Sequence, residues 1–201
     1  MSFHHLIEQN IKGLHRPCTE CFDSTSEKRF FIFDPPQQTG DERANLLITE
    51  DPISANKLVV DNHKEHVVEF VALDNCLLPK SIKKCDCVLA KFANNQRHII
   101  WVELKMETKN TNIEVVKNIV KGDIDSGGTD TGAIGQILQA RDYLNTKGVL
   151  HQNDKHKGHI GLPDRVQNTR GMSQSLQQLQ RKLQKDPNIK MTITIGSVLL
   201  L

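Results

Sequence analysis

The amino-acid sequence predicts an α/β fold, and two observations support this prediction. Three β-rich runs follow one another between residues 66 and 106, and helical periodicity appears on either side of them. The chain has 201 residues, an ordinary length for one domain and enough to bury a hydrophobic core without disulfide bonds. We therefore predict a single domain over residues 1–201.

The N-terminal extension, residues 1–60, is predicted to hold a helix and a strand, and its polar stretch from Gln37 to Asn56 is left unassigned. Apolar residues lie close to helical spacing over residues 2–15, which predicts a short amphipathic helix. Aromatic residues are concentrated in the run Lys28–Asp34, which predicts a strand. Pro35 and Pro36 end this strand, because proline cannot continue the hydrogen-bond ladder.

The centre of the predicted fold is a meander of three strands, at His66–Leu73, Lys84–Phe92 and His98–Met106. Turn-forming residues separate the three runs, and such residues interrupt strands. Short connections favour antiparallel neighbours, and the stretch Asn94–Gln96 suits a turn between the second and third strands.

The C-terminal half is predicted to alternate helices with polar segments and to end in a strand. Residues 107–132 are polar and rich in glycine, which predicts a flexible flap with a helical turn or two at Ile113–Lys121. The run Ala133–Leu144 has helical periodicity, and Gly148 stands just past its end as a stop signal. A basic loop follows, and the segment 172–201 adds a glutamine-rich helix and a strand, at Ser173–Lys185 and Lys190–Leu201.

Two acidic residues and a lysine interrupt the predicted strands. Asp86 lies near the start of the second strand, whereas Glu103 and Lys105 share one face of the third, because side chains alternate along a strand. Burying such charges is costly unless a partner or a metal compensates them. Mg²⁺ is held in proteins by one or two carboxylates together with substrate phosphates. These residues therefore predict a metal site suited to phosphodiester hydrolysis.

A simpler interpretation treats Glu103 and Lys105 as a solvent-exposed salt bridge on an edge strand, worth about 0–1 kcal/mol. Ile99 and Trp101 lie on the same face of the strand as these two residues. A face that carries such large apolar side chains is not wholly exposed, which argues against the simpler interpretation.

The order of these motifs resembles the PD-(D/E)XK, or restriction-endonuclease-like, nuclease superfamily. The resemblance covers residues 66–147: a strand that opens with Asp86, then Trp-Val-Glu-Leu-Lys ending at Lys105, then a helix bearing glutamine. It implies a restriction-endonuclease-like core with a central mixed sheet flanked by helices. It also implies a Mg²⁺ or Mn²⁺ ion bound by Asp86 and Glu103, with Lys105 assisting the attacking water.

The resemblance implies further site residues. A glutamine of the helix would contact the site, and both Gln136 and Gln139 fit; Gln139 with Tyr143 is similar to the Gln-x-x-x-Tyr signature of RecB-like nucleases. The family also supplies an acidic metal ligand from its first helix, for which Glu8 is our first choice and Glu69 the second. The sequence departs from the family's name by placing cysteine, not proline, before Asp86.

The cysteines are predicted to be reduced. Their number, five, is odd, and a chain of this length does not need disulfides. Cys18 and Cys21 form a Cys-x-x-Cys half-site, which Cys85 and Cys87, or nearby His15, would complete as a tetrahedral Zn²⁺ site. We favour instead that Cys85 and Cys87 pack in the core, where free cysteine behaves as a small apolar residue.

The charge of the chain does not identify its partner. A formal net charge of +2 decides little, because affinity for phosphate depends on where the cations cluster. The predicted basic loop offers Lys155, Lys157, Arg165 and Arg170 as nucleic-acid contacts. An ordinary solvated loop accounts for them equally well.

The sequence as a whole predicts a metal-dependent endonuclease that hydrolyses phosphodiester bonds. Through the resemblance, DNA is favoured over RNA, the setting is prokaryotic or viral genome defence or DNA processing, and a homodimer or a partner protein subunit is expected. We expect a cytoplasmic protein without a membrane partner, since we find neither a membrane-spanning run nor a secretory pattern. The alternative is a non-catalytic nucleic-acid-binding or partner-binding subunit that keeps the fold, with a cysteine-based Zn²⁺ site.

Overall fold

The structure is a computed structural model that describes residues 2–12, 18–33, 35, 43–49, 57–78, 84–106, 108–109, 112–121, 132–167, 172–185 and 191–201. The helices are α1 (Phe3–Asn10), α2 (Cys18–Cys21), α3 (Ile113–Lys121), α4 (Ala133–Thr146), α5 (Asp164–Gln167) and α6 (Met172–Gln184). The strands are β1 (Phe22–Thr25), β2 (Arg29–Phe33), β3 (Asn45–Leu47), β4 (Lys57–Asp61), β5 (Val68–Ala72), β6 (Cys87–Ala93), β7 (Gln96–Leu104), β8 (Lys155–Gly161), β9 (Thr192–Gly196) and β10 (Val198–Leu200).

The larger sheet has six strands in the order β1-β5-β6-β7-β8-β9. Its first four strands pair antiparallel, whereas β7, β8 and β9 pair parallel, so the sheet is mixed. The predicted meander is confirmed, because β5, β6 and β7 are consecutive antiparallel neighbours. The α/β fold class with a mixed sheet and flanking helices is therefore established.

The tight connection between β6 and β7 follows from two asparagines. Asn94 and Asn95 have φ of 52° and 57°, in the left-handed region that asparagine tolerates better than other non-glycine residues. Ala93 pairs with Gln96 across this two-residue turn, which confirms the predicted hairpin. The hairpin sets the register of the two strands, and with it the position of the acidic residues described below.

Helices α1 and α4 cover one face of the larger sheet. The backbone N–H groups of Phe3 and His4, at the start of α1, donate to the Glu69 carboxylate on β5. A Cβ atom built on Gly158 of β8 would lie 3.6 Å from a methyl group of Ile137, on α4. By register and alternation, Glu69 and Gly158 lie on the same face as Trp101, so both helices pack there.

A second sheet of four strands, in the order β10-β4-β2-β3, contacts the opposite face. The ammonium group of Lys157, on that face of β8, donates to the carbonyl oxygen of Leu200 in β10 at 3.1 Å. Phe30, Ile32 and Leu58 of the second sheet belong to the same buried cluster as the apolar residues of the larger sheet. The central sheet is thus covered by helices on one face and by strands on the other.

Most of the helix and strand predictions agree with the structure. Helix α1 begins as expected but ends at Asn10, and the predicted strand of Lys28–Asp34 is β2. The predicted helices are α3, α4 and α6, and Gly148, just past α4, has a φ of 72° as expected of a helix stop. The rest of the predicted flap, apart from short described stretches, lies outside the described residues.

Three predictions are wrong. Lys155 and Lys157 do not belong to a basic loop, because they lie in strand β8, which pairs with β7 and β9. The terminal run contains two strands rather than one, since β9 and β10 join different sheets on either side of Ser197. The five cysteines are not all reduced, because Cys21 and Cys76 form a disulfide.

The disulfide joins two segments that are far apart in the sequence but adjacent in space. Cys21 ends α2 and Cys76 lies in the turn Leu73–Leu77, at a sequence separation of 55 residues. Closing a loop of this length stabilises a fold by about 2–4 kcal/mol. Disulfides are typical of oxidising compartments, so the cytoplasmic location stays a prediction. Among the described residues, no helix is long and apolar enough to cross a membrane.

Candidate functional site

Asp86 and Glu103 are brought to the same end of the central sheet by the register of β6 and β7. Cys87 pairs with Val102, so the next residues outward, Asp86 and Glu103, lie opposite each other. The Asp86 carboxylate accepts a hydrogen bond from the backbone N–H of Leu104 at 2.5 Å. It thereby occupies the position where β6 would otherwise continue the ladder, next to the strand that carries Glu103.

Glu103 and Lys105 form an ion pair on one face of β7. The Glu103 side chain is 1% exposed, whereas that of Lys105 is 29% exposed, so the ammonium group lies between the buried carboxylate and solvent. Electrostatic interactions are stronger in such a partly dry position than in bulk water. We refer to Asp86, Glu103 and Lys105 as the acidic site; the interpretation as a fully exposed salt bridge is wrong, because Glu103 is buried.

The backbone before β6 is anchored by residues that the sequence interpretation did not single out. The N–H groups of Leu73 and Asp74 donate to the carbonyl oxygen of Asp86 at 2.9 and 3.3 Å. The buried ammonium group of Lys84 pairs with the Asp74 carboxylate at 3.3 Å. The turn that contains Asp74 is the one tethered by Cys76. The only sequence signal for this arrangement was the spacing of Lys84, two residues before Asp86 and therefore on the same side of an extended chain.

The two cysteines beside Asp86, Cys85 and Cys87, are not in the disulfide and are buried, as expected of core residues. Burial raises the pKa of the Cys85 thiol well above its ordinary value, and the neighbouring Glu103 and Asp86 carboxylates raise it further. Cys85 therefore stays a neutral thiol at physiological pH, as expected of a buried core residue.

Helix α4 presents one of its three candidate residues to the site. The side-chain amide of Gln136 donates to the carbonyl oxygen of Lys84 at 3.4 Å, so this glutamine contacts the segment that leads to Asp86. Gln139 lies almost one turn further along the helix. Tyr143 lies about 10 Å from Gln136 along the axis, partly buried against the core and under the ammonium group of Lys147. The geometry favours Gln136 over Gln139 and Tyr143.

The structure does not bring Glu8 or Glu69 to the acidic site. Glu8 is paired with His4 on the surface of α1, and the Glu69 carboxylate accepts hydrogen bonds from the start of that helix. Glu69 is aligned through Ala90 with Ile99, about 13 Å along β7 from Glu103. Among the described residues, no three His, Cys, Asp or Glu side chains converge as a metal-binding group.

The predicted nucleic-acid contacts are dispersed. Arg165 lies on α5 and donates to the carbonyl oxygens of Met106 and Thr108 at 3.3 Å, just beyond the end of β7 that carries Lys105. Lys155 and Lys157 lie near the opposite end of β8 and on the other face of the sheet. Arg170 lies outside the described residues.

The donor atoms of the acidic site suit Mg²⁺ better than Zn²⁺. Two carboxylates at one end of a sheet are hard oxygen ligands, and Mg²⁺ completes its shell with water and phosphate oxygens. The predicted zinc half-site lacks one of its two ligands, because Cys21 is in a disulfide and is not available as a thiolate. The side chain of Cys18 and all of His15 lie outside what is described.

The fold and the site together define an α/β protein whose mixed six-stranded sheet carries two carboxylates and a lysine at one end. Comparisons of the chain with family models, with curated proteins and with solved structures found no significant match. Function therefore has to be argued from the arrangement of these residues.

Proposed function

We propose that this chain is a metal-dependent nuclease that hydrolyses phosphodiester bonds at the acidic site. The observation that carries the proposal is the placement of Asp86 opposite Glu103, with Lys105 paired to Glu103 at the rim. Mg²⁺ or Mn²⁺, when bound there, would neutralise charge on the phosphoryl oxygens and lower the pKa of a bound water. Asp86 and Glu103 are the residues that would hold it.

The residues of the chain have separate roles in this proposal. The hydrogen bond from Leu104 fixes one oxygen of the Asp86 carboxylate, which limits the motion of the group on substrate binding. The Lys105 ammonium group is accessible from solvent, so it can contact the scissile phosphate and orient the attacking water. Gln136 supports the backbone of Lys84, and Arg165 adds a cation beyond the end of β7.

The substrate and the biological setting rest on the resemblance alone. We propose DNA rather than RNA as substrate, and genome defence or DNA processing as the setting, because the PD-(D/E)XK superfamily resembled here includes such enzymes. A homodimer or a partner subunit belongs to the same proposal.

Cleavage assays with point variants test the proposal. Purified protein is incubated with supercoiled plasmid, single-stranded DNA and RNA in the presence of Mg²⁺ or Mn²⁺, alongside Asp86→Asn and Lys105→Ala. We expect cleavage by the wild type and a loss of about 10²–10³-fold in each variant, because each change removes charge from the reacting centre. Lys182→Ala, an exposed residue of α6, serves as the matched control and retains activity.

Calorimetry with Ca²⁺ and Mn²⁺ separates a silent enzyme from a wrong assignment. We expect a divalent ion to bind the wild type and Lys182→Ala, and to bind Asp86→Asn at least about tenfold more weakly, since one of two carboxylate ligands is lost. If the wild type neither cleaves nucleic acid nor binds a divalent ion, the nuclease proposal is rejected in favour of a non-catalytic binding subunit that keeps the fold.

A further inference from the structure

A second region of unusual chemistry lies on the face of the larger sheet that the strand layer contacts. A cavity of about 310 Å³ opens there between β6, β7, β8 and β9 and the C-terminal residues that follow. Basic and polar side chains on this face are Lys91, His98, Lys155, Lys157 and Thr192, and we call the space they line the basic cavity. The cavity is also lined by Ile99, Ile100, His156, Leu200 and Leu201.

The strand register gathers three lysines on one face of the sheet, in the basic cavity. Lys91 of β6 is opposite His98 of β7, and His98 is opposite Lys155 of β8. Lys157 lies two residues beyond Lys155 and therefore on the same face. Lysine charges on one face repel one another, and this repulsion opposes folding unless an anion compensates it.

No acidic side chain of the described residues compensates these lysines. No acidic side chain is among the residues that line the cavity. None of the ion pairs within the described residues includes Lys91, Lys155 or Lys157. The hydrogen bond that Lys157 makes is to a neutral carbonyl group, that of Leu200.

The pKa values of two lysines reflect this environment. Burial lowers the pKa of Lys91, and the charges of Lys64 and Lys157 lower it further. Burial also lowers the pKa of Lys157. The protonated form of each group is therefore less stable in the folded protein than in water, and a bound anion would reverse that penalty.

We propose that the basic cavity binds a phosphate monoester of about mononucleotide size. Lysine ammonium groups are compact charges that suit phosphate oxygens, and several of them on one face match a dianion better than a single carboxylate. The cavity has the size of the smaller ligand pockets, and Ile100 with Leu201 offers apolar surface for the organic part. The site is independent of the proposed nuclease activity, because Lys157 and Glu103 lie on opposite faces of the sheet.

Calorimetry with adenosine 5′-monophosphate, inorganic phosphate and adenosine as probes tests the proposal. We expect the monophosphate to bind wild-type protein more tightly than inorganic phosphate, and adenosine not to bind, since the charge supplies the attraction and the organic part adds contacts. Lys91→Gln and Lys157→Gln should each weaken binding of the monophosphate by about tenfold or more, because a charged hydrogen bond is lost. Lys182→Gln should bind as the wild type does.

Melting temperatures without ligand check that the variants remain folded. Lys91→Gln should have a higher melting temperature than the wild type without ligand, because it removes repulsion between lysines. Its melting temperature should rise less than that of the wild type when the monophosphate is added. The proposal is overturned if the wild type does not bind the monophosphate, or if both lysine variants bind it as tightly as the wild type does. Tighter binding of inorganic phosphate than of the monophosphate would also overturn it, since the cavity would then hold only a small ion.

Discussion

The acidic site and the basic cavity lie on opposite faces of the same strands, and their charges are compensated in different ways. At the acidic site the charges are already paired within the chain, Glu103 with Lys105 and nearby Lys84 with Asp74. In the basic cavity, three lysines lie on one face of the sheet and no acidic side chain is among the lining residues. The charges of the acidic site are thus paired within the protein itself, whereas we propose that a bound anion compensates the charges of the basic cavity.

The largest difference in stability is expected from the pair at the acidic site. Lys105→Met removes the cation beside a carboxylate that is 1% exposed, and should lower the free energy of unfolding by about 3 kcal/mol. The double variant Glu103→Gln with Lys105→Met, which removes both charges, should recover most of this loss. Urea denaturation of the wild type and the two variants measures the effect. Equal stability of Lys105→Met and wild type would show that Glu103 does not depend on its lysine.

A pH-dependent effect is expected from His159, which is buried in β8 beside the basic cavity. Burial lowers its pKa from 6.5 to about 3, and the charge of Lys157 contributes, against a hydrogen bond to the Gly196 carbonyl group that raises it. Between these two values the unfolded chain binds more protons than the folded chain. The contribution of His159 to the free energy of unfolding is therefore complete above pH 6.5 and is lost as the pH falls towards 3.

Urea denaturation at pH 7 and pH 5 measures this contribution. The wild type should lose about 2 kcal/mol more than His159→Gln on going to pH 5, because the glutamine does not titrate. An identical loss in both proteins would mean that the imidazole is protonated in the folded state, contrary to its burial.

The smallest effect is expected from reversing one charge in the basic cavity. Lys155→Glu places a carboxylate on the same face as Lys157, and should raise the free energy of unfolding by about 0.5 kcal/mol at low ionic strength without ligand. Lys12→Glu, an exposed position just after α1, changes the net charge equally and should leave stability nearly unchanged. A destabilised Lys155→Glu protein would contradict the view that repulsion dominates this face.

The accuracy of the sequence interpretation differed between local and long-range features. The turn at Asn94 and Asn95 and the helix before Gly148 were predicted correctly, because left-handed backbone and helix stops depend on single residues. The convergence of Glu103 with Lys105 was also predicted, since it needs only the alternation of one strand. By contrast, β8 was mistaken for a loop because Lys155, Lys157 and Gly158 do not resemble a buried strand.

The disulfide and the basic cavity could not be predicted from the sequence, because both depend on which distant segments pair. An odd number of cysteines does not say which two meet, and Cys21 approaches Cys76 only through the pairing of β1 with β5. Lys91, His98 and Lys155 come from three strands, and their alignment depends on two registers. Glu8 was a reasonable candidate ligand by family analogy, but α1 docks beside Glu69, away from the acidic site.

By itself, the sequence determined the features that rest on nearest neighbours: the α/β class, the meander, its hairpin and the spacing of Glu103 and Lys105 along one strand. Only the tertiary structure decided which distant groups meet, placing Asp86 against the backbone of Leu104, joining Cys21 to Cys76 and gathering cations on the other face. The physical reason is that local backbone preferences act over a few residues, whereas strand register and sheet order emerge from packing the whole chain at once.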